Sequence, residues 1–223
     1  MSIYLQTAQT EGLRKLAVAT KWAILVVVAF LGLHLASEYN YLLFHGLAEG
    51  FSIVVACGMF MLAWNSRRIL DNDYLLLLGI AYLFVGIVDA VHTLAYSGMG
   101  VFPGFTTNLP TQLWISARYM ETLTLLAAPL ALRWHFRPVR ASVLIGLATA
   151  LLLVAIFNGV FPDCFVPGQG LTPFKVISEY IICALLLVAA WLLYRNRKAF
   201  EPAVVKLLLG SVLLTVGSEL MFT

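Results

Sequence analysis

A chain of 223 residues that is 61% hydrophobic and only 11% charged has too few charges to clothe a soluble core, since a soluble domain carries about a quarter charged residues. The pattern is that of a polytopic membrane protein. The formal net charge is only +3, and the basic residues fall between apolar runs instead of forming one patch. That excludes nucleic acid as a partner.

Residues 1–20 form a polar N-terminal segment with Glu11, Arg14 and Lys15 and no small-residue cleavage pattern. The segment is expected to be cytoplasmic, either as a short interfacial helix over 3–19 or as a frayed tail, ahead of an uncleaved anchor. Seven apolar stretches follow: Lys21–Ser37, Tyr41–Trp64, Tyr74–Tyr96, Pro110–Trp134, Val139–Phe161, Phe174–Tyr194 and Ala203–Thr223. Each is long enough, or nearly so, to cross ~30 Å of hydrocarbon at ~1.5 Å per residue. Lipid cannot satisfy open backbone groups, and no alternating pattern suggests a barrel. The expected fold is therefore all-α, a polytopic bundle of about seven transmembrane spans.

Basic residues set its orientation. Arg14, Lys15 and Lys21 precede the first span, Arg67 and Arg68 follow the second, and Arg133, Arg137 and Arg140 lie between the fourth and fifth. Arg195, Arg197, Lys198 and Lys206 lie between the sixth and seventh. The alternate connections hold Glu38, Asp163 and Lys175, and residues 97–110 carry no charge. The positive-inside rule then makes the N-terminus cytoplasmic. The pattern breaks off mid-span at SELMFT, so the membrane unit is expected to continue past Thr223 and to be C-terminally incomplete here.

A charge at the centre of a membrane helix costs roughly 2.5–3.5 kcal/mol on insertion scales. Even so, the spans carry Glu49, Asp89, Arg118, Glu121, Glu179 and Glu219, with His34, His45 and His92 nearer their ends. With the orientation above, all of them fall in the outer half. His45 with Glu49 is an i,i+4 pair, and Asp89 with His92 and Arg118 with Glu121 are i,i+3 pairs. Each span thus offers one polar stripe, expected to line a common chamber. Gly46 and Gly50 are expected to let another helix approach closely beside it. The plainer reading is a set of internal salt bridges that lock helix packing, with His34 and Glu38 at the head groups. His135 is expected to be cytoplasmic and no ligand. Trp64, Trp114, Trp134 and Trp191 are expected in interfacial belts.

Several chemistries remain open for the chamber. His45 and His92 at matching depth, with His34 to spare, would suit the two axial positions of haem b. His45, His92 and Glu49 would instead suit a transition metal ion. The excess of acids favours a cation, and Arg118 with the acids would hold a small molecule or quinone. No Walker loop, GxSxG or HExxH appears, so no catalysis is expected. Cys57, Cys164 and Cys183 show neither zinc spacing nor a disulfide framework. Residues 97–110 and 161–174 are expected outside the membrane, either as lids over the chamber or as plain connectors.

These residues carry a resemblance. FHGLAEGFSIVVA (44–56), LGIAYLFVGIVDAVHTLAYSGMGVF (78–102), TQLWISARYMET (111–122), FPDCFVPGQGLTPFKVISEYII (161–182) and SELMFT (218–223) resemble the bacterial membrane-associated sensor domains of the third MASE type. The resemblance implies that residues 21–223 form a transmembrane sensor domain in the bacterial inner membrane. Its motifs contain His45, Glu49, Asp89, His92, Arg118, Glu121, Glu179 and Glu219, the residues that the charge pattern selects, and these with His34 make the expected ligand-binding set. It also implies a cytoplasmic output module, a histidine kinase or diguanylate cyclase, reached through a further span. A homodimer is the expected assembly and the lipid bilayer the surrounding partner. The alternatives to a sensor are a membrane haem or metal protein in electron transfer and a small transporter.

Overall fold

The computed structural model describes residues 2–69, 72–132 and 137–222, and side chains from Leu16 onward together with that of Arg14. Arg133, Trp134 and His135 lie outside the described residues, as do the side chains of Glu11 and Lys15. Among the described residues there are seven α-helices: α1 (Ser2–Tyr39), α2 (Tyr41–Ser66), α3 (Asp73–Ala95), α4 (Asn108–Ala131), α5 (Pro138–Phe157), α6 (Pro173–Arg195) and α7 (Pro202–Met221). The chain divides into two compact units, Met1–Ala48 and Glu49–Thr223.

In the first unit, α1 runs unbroken from the polar N-terminal segment into the first apolar run. The separate interfacial helix or frayed tail expected over 3–19 is absent, since nothing in that stretch breaks a helix. Asn40 ends α1 and starts α2: its Oδ1 accepts the Leu42 and Leu43 amides at 2.9 and 3.1 Å, as an N-cap does.

The second unit holds the rest of α2 and α3 to α7. Proline stands in the first turn of α5, α6 and α7, where its missing N–H and fixed φ cost nothing. Asn72 caps α3 by accepting the Leu75 amide at 3.2 Å, and its Nδ2 donates to the Ala199 carbonyl. Thr172 caps α6. α4 packs against α3, α5 and α6, and α6 packs against α7. One core joins Tyr74, Ile115, Ile182 and Leu186, and a second joins Val85, Leu113 and Ile156. Buried side chains thus gather on the α3–α4–α6 seams, while α5 and α7 expose rows of Leu and Val.

Six helices are long and apolar enough to cross a membrane. α4 is the exception among the seven expected spans. Its 24 residues suffice in length, but it carries Thr111, Gln112, Ser116, Arg118, Glu121 and Thr122. These polar groups are tolerated because neighbouring helices cover α4. Two strands of two residues each, Phe165–Val166 and Gly170–Leu171, form a small antiparallel hairpin between α5 and α6.

The close helix approach is not where the sequence put it. A Cβ on Gly50 would meet nothing within 4 Å. A Cβ on Gly79 would collide with the Cβ of Ala63 and lie 3.0 Å from the Met59 carbonyl. Gly86 likewise faces Ala56 at 3.0 Å. Small residues on α3, and not Gly50 on α2, let these stretches of α2 and α3 come together.

Candidate functional site

The sequence places Asp89 and His92 one turn apart on α3, and Arg118 and Glu121 one turn apart on α4. Packing of α3 on α4 turns both pairs inward. Arg118 Nη1 donates to Glu121 Oε2 at 2.5 Å, and Nη2 lies 3.4 Å from both Asp89 oxygens. Tyr82, two turns before Asp89, donates its hydroxyl to Glu121 Oε1 at 2.7 Å. The guanidinium lies over the Trp114 ring, 5.0 Å from its centroid. Beside this group is a cavity of about 90 Å³, lined by Ser52, Val55, Ala56, Tyr82, Val85, Asp89, Arg118 and Glu121. Glu49 lies near enough to feel the charges of Asp89 and Arg118.

His92 is buried one turn above Asp89. Its Nδ1 lies 2.8 Å from the Pro110 carbonyl. A carbonyl only accepts, so Nδ1 carries the proton and Nε2 is the acceptor nitrogen in the neutral ring. Metal-ligating histidines are commonly oriented this way. Ligand atoms of Glu49 and His92 lie within 4.8 Å of one another. Trp114 sits between His92 and Arg118, with its ring 5.6 Å from the imidazole and 5.5 Å from Phe222. Trp114, expected in an interfacial belt, is half-buried against this polar group. Trp191, by contrast, is 53% exposed.

Glu179 and Glu219 fall into a second group, on α6 and α7. Lys175 Nζ pairs with Glu179 Oε1 at 2.5 Å and also donates to the Phe222 carbonyl at the end of α7. Lys175, counted with the outer connections, stands in the first turn of α6 and is buried at 4% exposure. Its i,i+4 spacing to Glu179 was the available signal. Tyr82 had one too, being on the face of α3 that carries Asp89. Glu219 feels the charges of both groups, Arg118 and Glu121 on one side and Glu179 and Lys175 on the other.

In the first unit, His34 is exposed on α1 and His45 is half-buried on α2. The second unit therefore brings Glu49, Asp89, His92, Arg118 and Glu121 together, with Glu179 and Glu219 in an adjoining group.

The connection 158–172 is fastened over the N-terminus of α4. Asn108 Oδ1 accepts the Cys164 and Phe165 amides at 2.8 and 3.0 Å, and its Nδ2 donates to Asp163 at 2.7 Å. Gln112 donates to the carbonyls of Phe161 and Pro162. Inside this fold-over, the Cys164 thiol is pushed up to about 12 by burial first and the adjacent Asp163 charge second. It is an inert, protonated thiol at neutral pH.

The model of the family MASE3, a membrane-associated sensor domain, matches residues 36–223. No curated protein and no solved structure matches the chain.

Proposed function

We propose a function from one premise: the chain belongs to the MASE3 family of membrane-associated sensor domains, and is a multi-pass membrane protein with a sensory role. On the finer reading, the domain detects a small cationic ligand within the membrane, at the cavity walled by Asp89, Arg118 and Glu121. The observation that carries it is a half-buried arginine shared by two buried carboxylates at the edge of a cavity. Ionisable groups inside a membrane bundle are costly and are kept where they meet a ligand or an ion.

Charge and size select the ligand class. Glu49, Asp89 and Glu121 face one permanent cation, so the surplus is negative. A volume of about 90 Å³ corresponds to about three waters at ~30 Å³ each, which suits an ion or small amine better than a porphyrin. Glu49 and His92 favour a transition metal as one form of that cation. The site binds and does not catalyse: Arg118, Tyr82 and the acids hold one another and activate no nucleophile. A ligand that competes with Arg118 for Asp89 would change how α3 sits on α4. Differential affinity for the two packings would pass the signal to a cytoplasmic kinase or cyclase module of an inner-membrane, dimeric receptor.

The test is the thermal midpoint of purified protein in lipid nanodiscs with zinc, magnesium, sodium or tetramethylammonium chloride. One of these should raise the midpoint saturably, and Ser52→Leu, which fills the cavity but keeps every charge, should abolish the shift. No shift from any cation, or an equal shift in Ser52→Leu, would overturn the reading. An optical spectrum of the same sample tests for haem.

A further inference from the structure

Helix α6 carries on its outer side a feature that the Arg118 cavity does not use. Ile181, Ala184, Leu187, Val188 and Trp191 recur every three or four residues and are all exposed, so they form one apolar stripe along the helix. The stripe ends in charge. The Arg195 guanidinium lies over the Trp191 ring, 4.8 Å from its centroid, and that of Arg197 lies over the Tyr194 ring at 4.4 Å. Both rings are exposed. A guanidinium stacked on a ring keeps its forked N–H donors free at the edge of its plane.

Lys198 follows in the short 3-10 turn Arg197–Ala199. That turn is held in place. Its Ala199 carbonyl accepts from Asn72 at 3.2 Å, and Phe200 meets the buried Tyr74 ring edge-on at 5.0 Å. Arg197 spends one N–H on the Tyr194 carbonyl at 3.1 Å. Among the described residues, no carboxylate forms an ion pair with Arg195, Arg197 or Lys198. Three cations within four residues are thus left unneutralised, at the foot of an apolar stripe and beside two exposed rings.

We propose that this end of α6 binds one anionic phospholipid, with its phosphate on Arg195, Arg197 and Lys198 and its acyl chains along the stripe from Trp191 to Ile181. The site is separate from the Arg118 cavity and does not depend on any ligand there. Charge selects the headgroup. A zwitterionic headgroup brings its own ammonium, which three unpaired cations repel, whereas an anionic one brings the charge they lack. The stripe selects a lipid over free phosphate, which would meet the cations and leave the apolar surface unused. The rings mark the level at which aromatic side chains sit beside headgroups.

The test is native mass spectrometry of the whole protein from mixed micelles with equal phosphatidylglycerol and phosphatidylcholine. Wild type should retain phosphatidylglycerol in preference. One cation near an anionic headgroup changes affinity by about fivefold. Arg195→Gln with Arg197→Gln should therefore cut the preference by at least about tenfold. Arg137→Gln with Arg140→Gln removes the same charge from exposed arginines at the start of α5, and should leave most of the preference in place. An excess of inorganic phosphate should not displace the lipid. All four arginines are exposed, so circular dichroism should report unchanged helicity in both double variants. No preference in wild type would overturn the proposal and leave the cations to an acidic protein surface. An equal loss in the two double variants would overturn it in favour of a diffuse surface potential. Displacement by phosphate alone would overturn it in favour of a free anion.

Discussion

Helices α4 and α5 are consecutive in the chain and built in opposite ways. α4 carries Gln112, Ser116, Arg118, Glu121 and Thr122, and all but Arg118 among these are buried. α5 is a run of Leu, Ile, Val and Ala with Leu147 and Leu151 at 58% and 69% exposure. In water the greasy helix would be the buried one. In lipid, apolar side chains gain nothing by leaving the acyl chains, and packing contacts and polar pairs hold helices together. The least apolar helix is therefore the one enclosed by its neighbours, and what it encloses is the Arg118 group.

Substitutions at the two helices should differ in size accordingly. The largest effect is expected at Arg118. Arg118→Leu strands Asp89 and Glu121 as buried charges, at a cost of about 3–5 kcal/mol. Arg118→Lys should recover only part of this, since an ammonium cannot make two forked contacts. Unfolding in a mild detergent–denaturant series measures both. A loss under 1 kcal/mol for Arg118→Leu would mean that the acids are solvated and the enclosure is not real.

Next is Gly79→Val, which drives side-chain atoms into Ala63 and the Met59 carbonyl. Overpacking of this kind costs about 1–3 kcal/mol, and the same assay should place it below Arg118→Leu. Gly50→Val, with open space around its Cβ, serves as the matched control and should be far milder.

Asn108→Ala removes three hydrogen bonds that hold the hairpin connection, each worth about 0.5–1.5 kcal/mol net. Its clearest readout is Cys164. The buried thiol, with its ordinary value of 9.0 raised to about 12, should resist iodoacetamide across mildly alkaline pH in wild type. In Asn108→Ala it should react faster, on Cys57→Ala and Cys183→Ala backgrounds. The folded thiol holds its proton above the value at which the unfolded thiol has released it, so stability should also fall as pH rises from about 9 towards 12. Unchanged reactivity would show that Asn108 does not fasten the connection.

The smallest effect is expected on α5. Leu151→Ala faces outward and should change stability by no more than about 0.5 kcal/mol. A cost comparable to a core truncation would show that α5 packs against another protein surface there.

The sequence allowed much of this to be read, for physical reasons. Span lengths follow from backbone rise, so the other six helices were plain, whereas the polar residues of α4 hide it from a hydropathy test. The i,i+3 spacings of Asp89–His92 and Arg118–Glu121 put each pair on one face, and packing did the rest. The partners of those pairs were harder to read. Tyr82 shares a face with Asp89 but meets Glu121 only through the packing of α3 on α4, and Lys175, although four residues before Glu179, was counted with a connection because it stands beside a proline and a turn. Trp114 looked like a belt residue because ring chemistry alone does not distinguish an interface from the inside of a polar group. Gly50 stood in the right spacing for a close approach but faces open space, whereas Gly79 and Gly86 face the small side chains, Ala63 and Ala56, that make one.

The account depends on α3 and α4 presenting their charges to each other. The most direct measurement is a double-mutant cycle with Asp89→Asn and Arg118→Gln, read as unfolding free energy in lipid-mimetic detergent. The account predicts a coupling above about 1 kcal/mol between the two sites. Additivity within about 0.3–0.5 kcal/mol would contradict it.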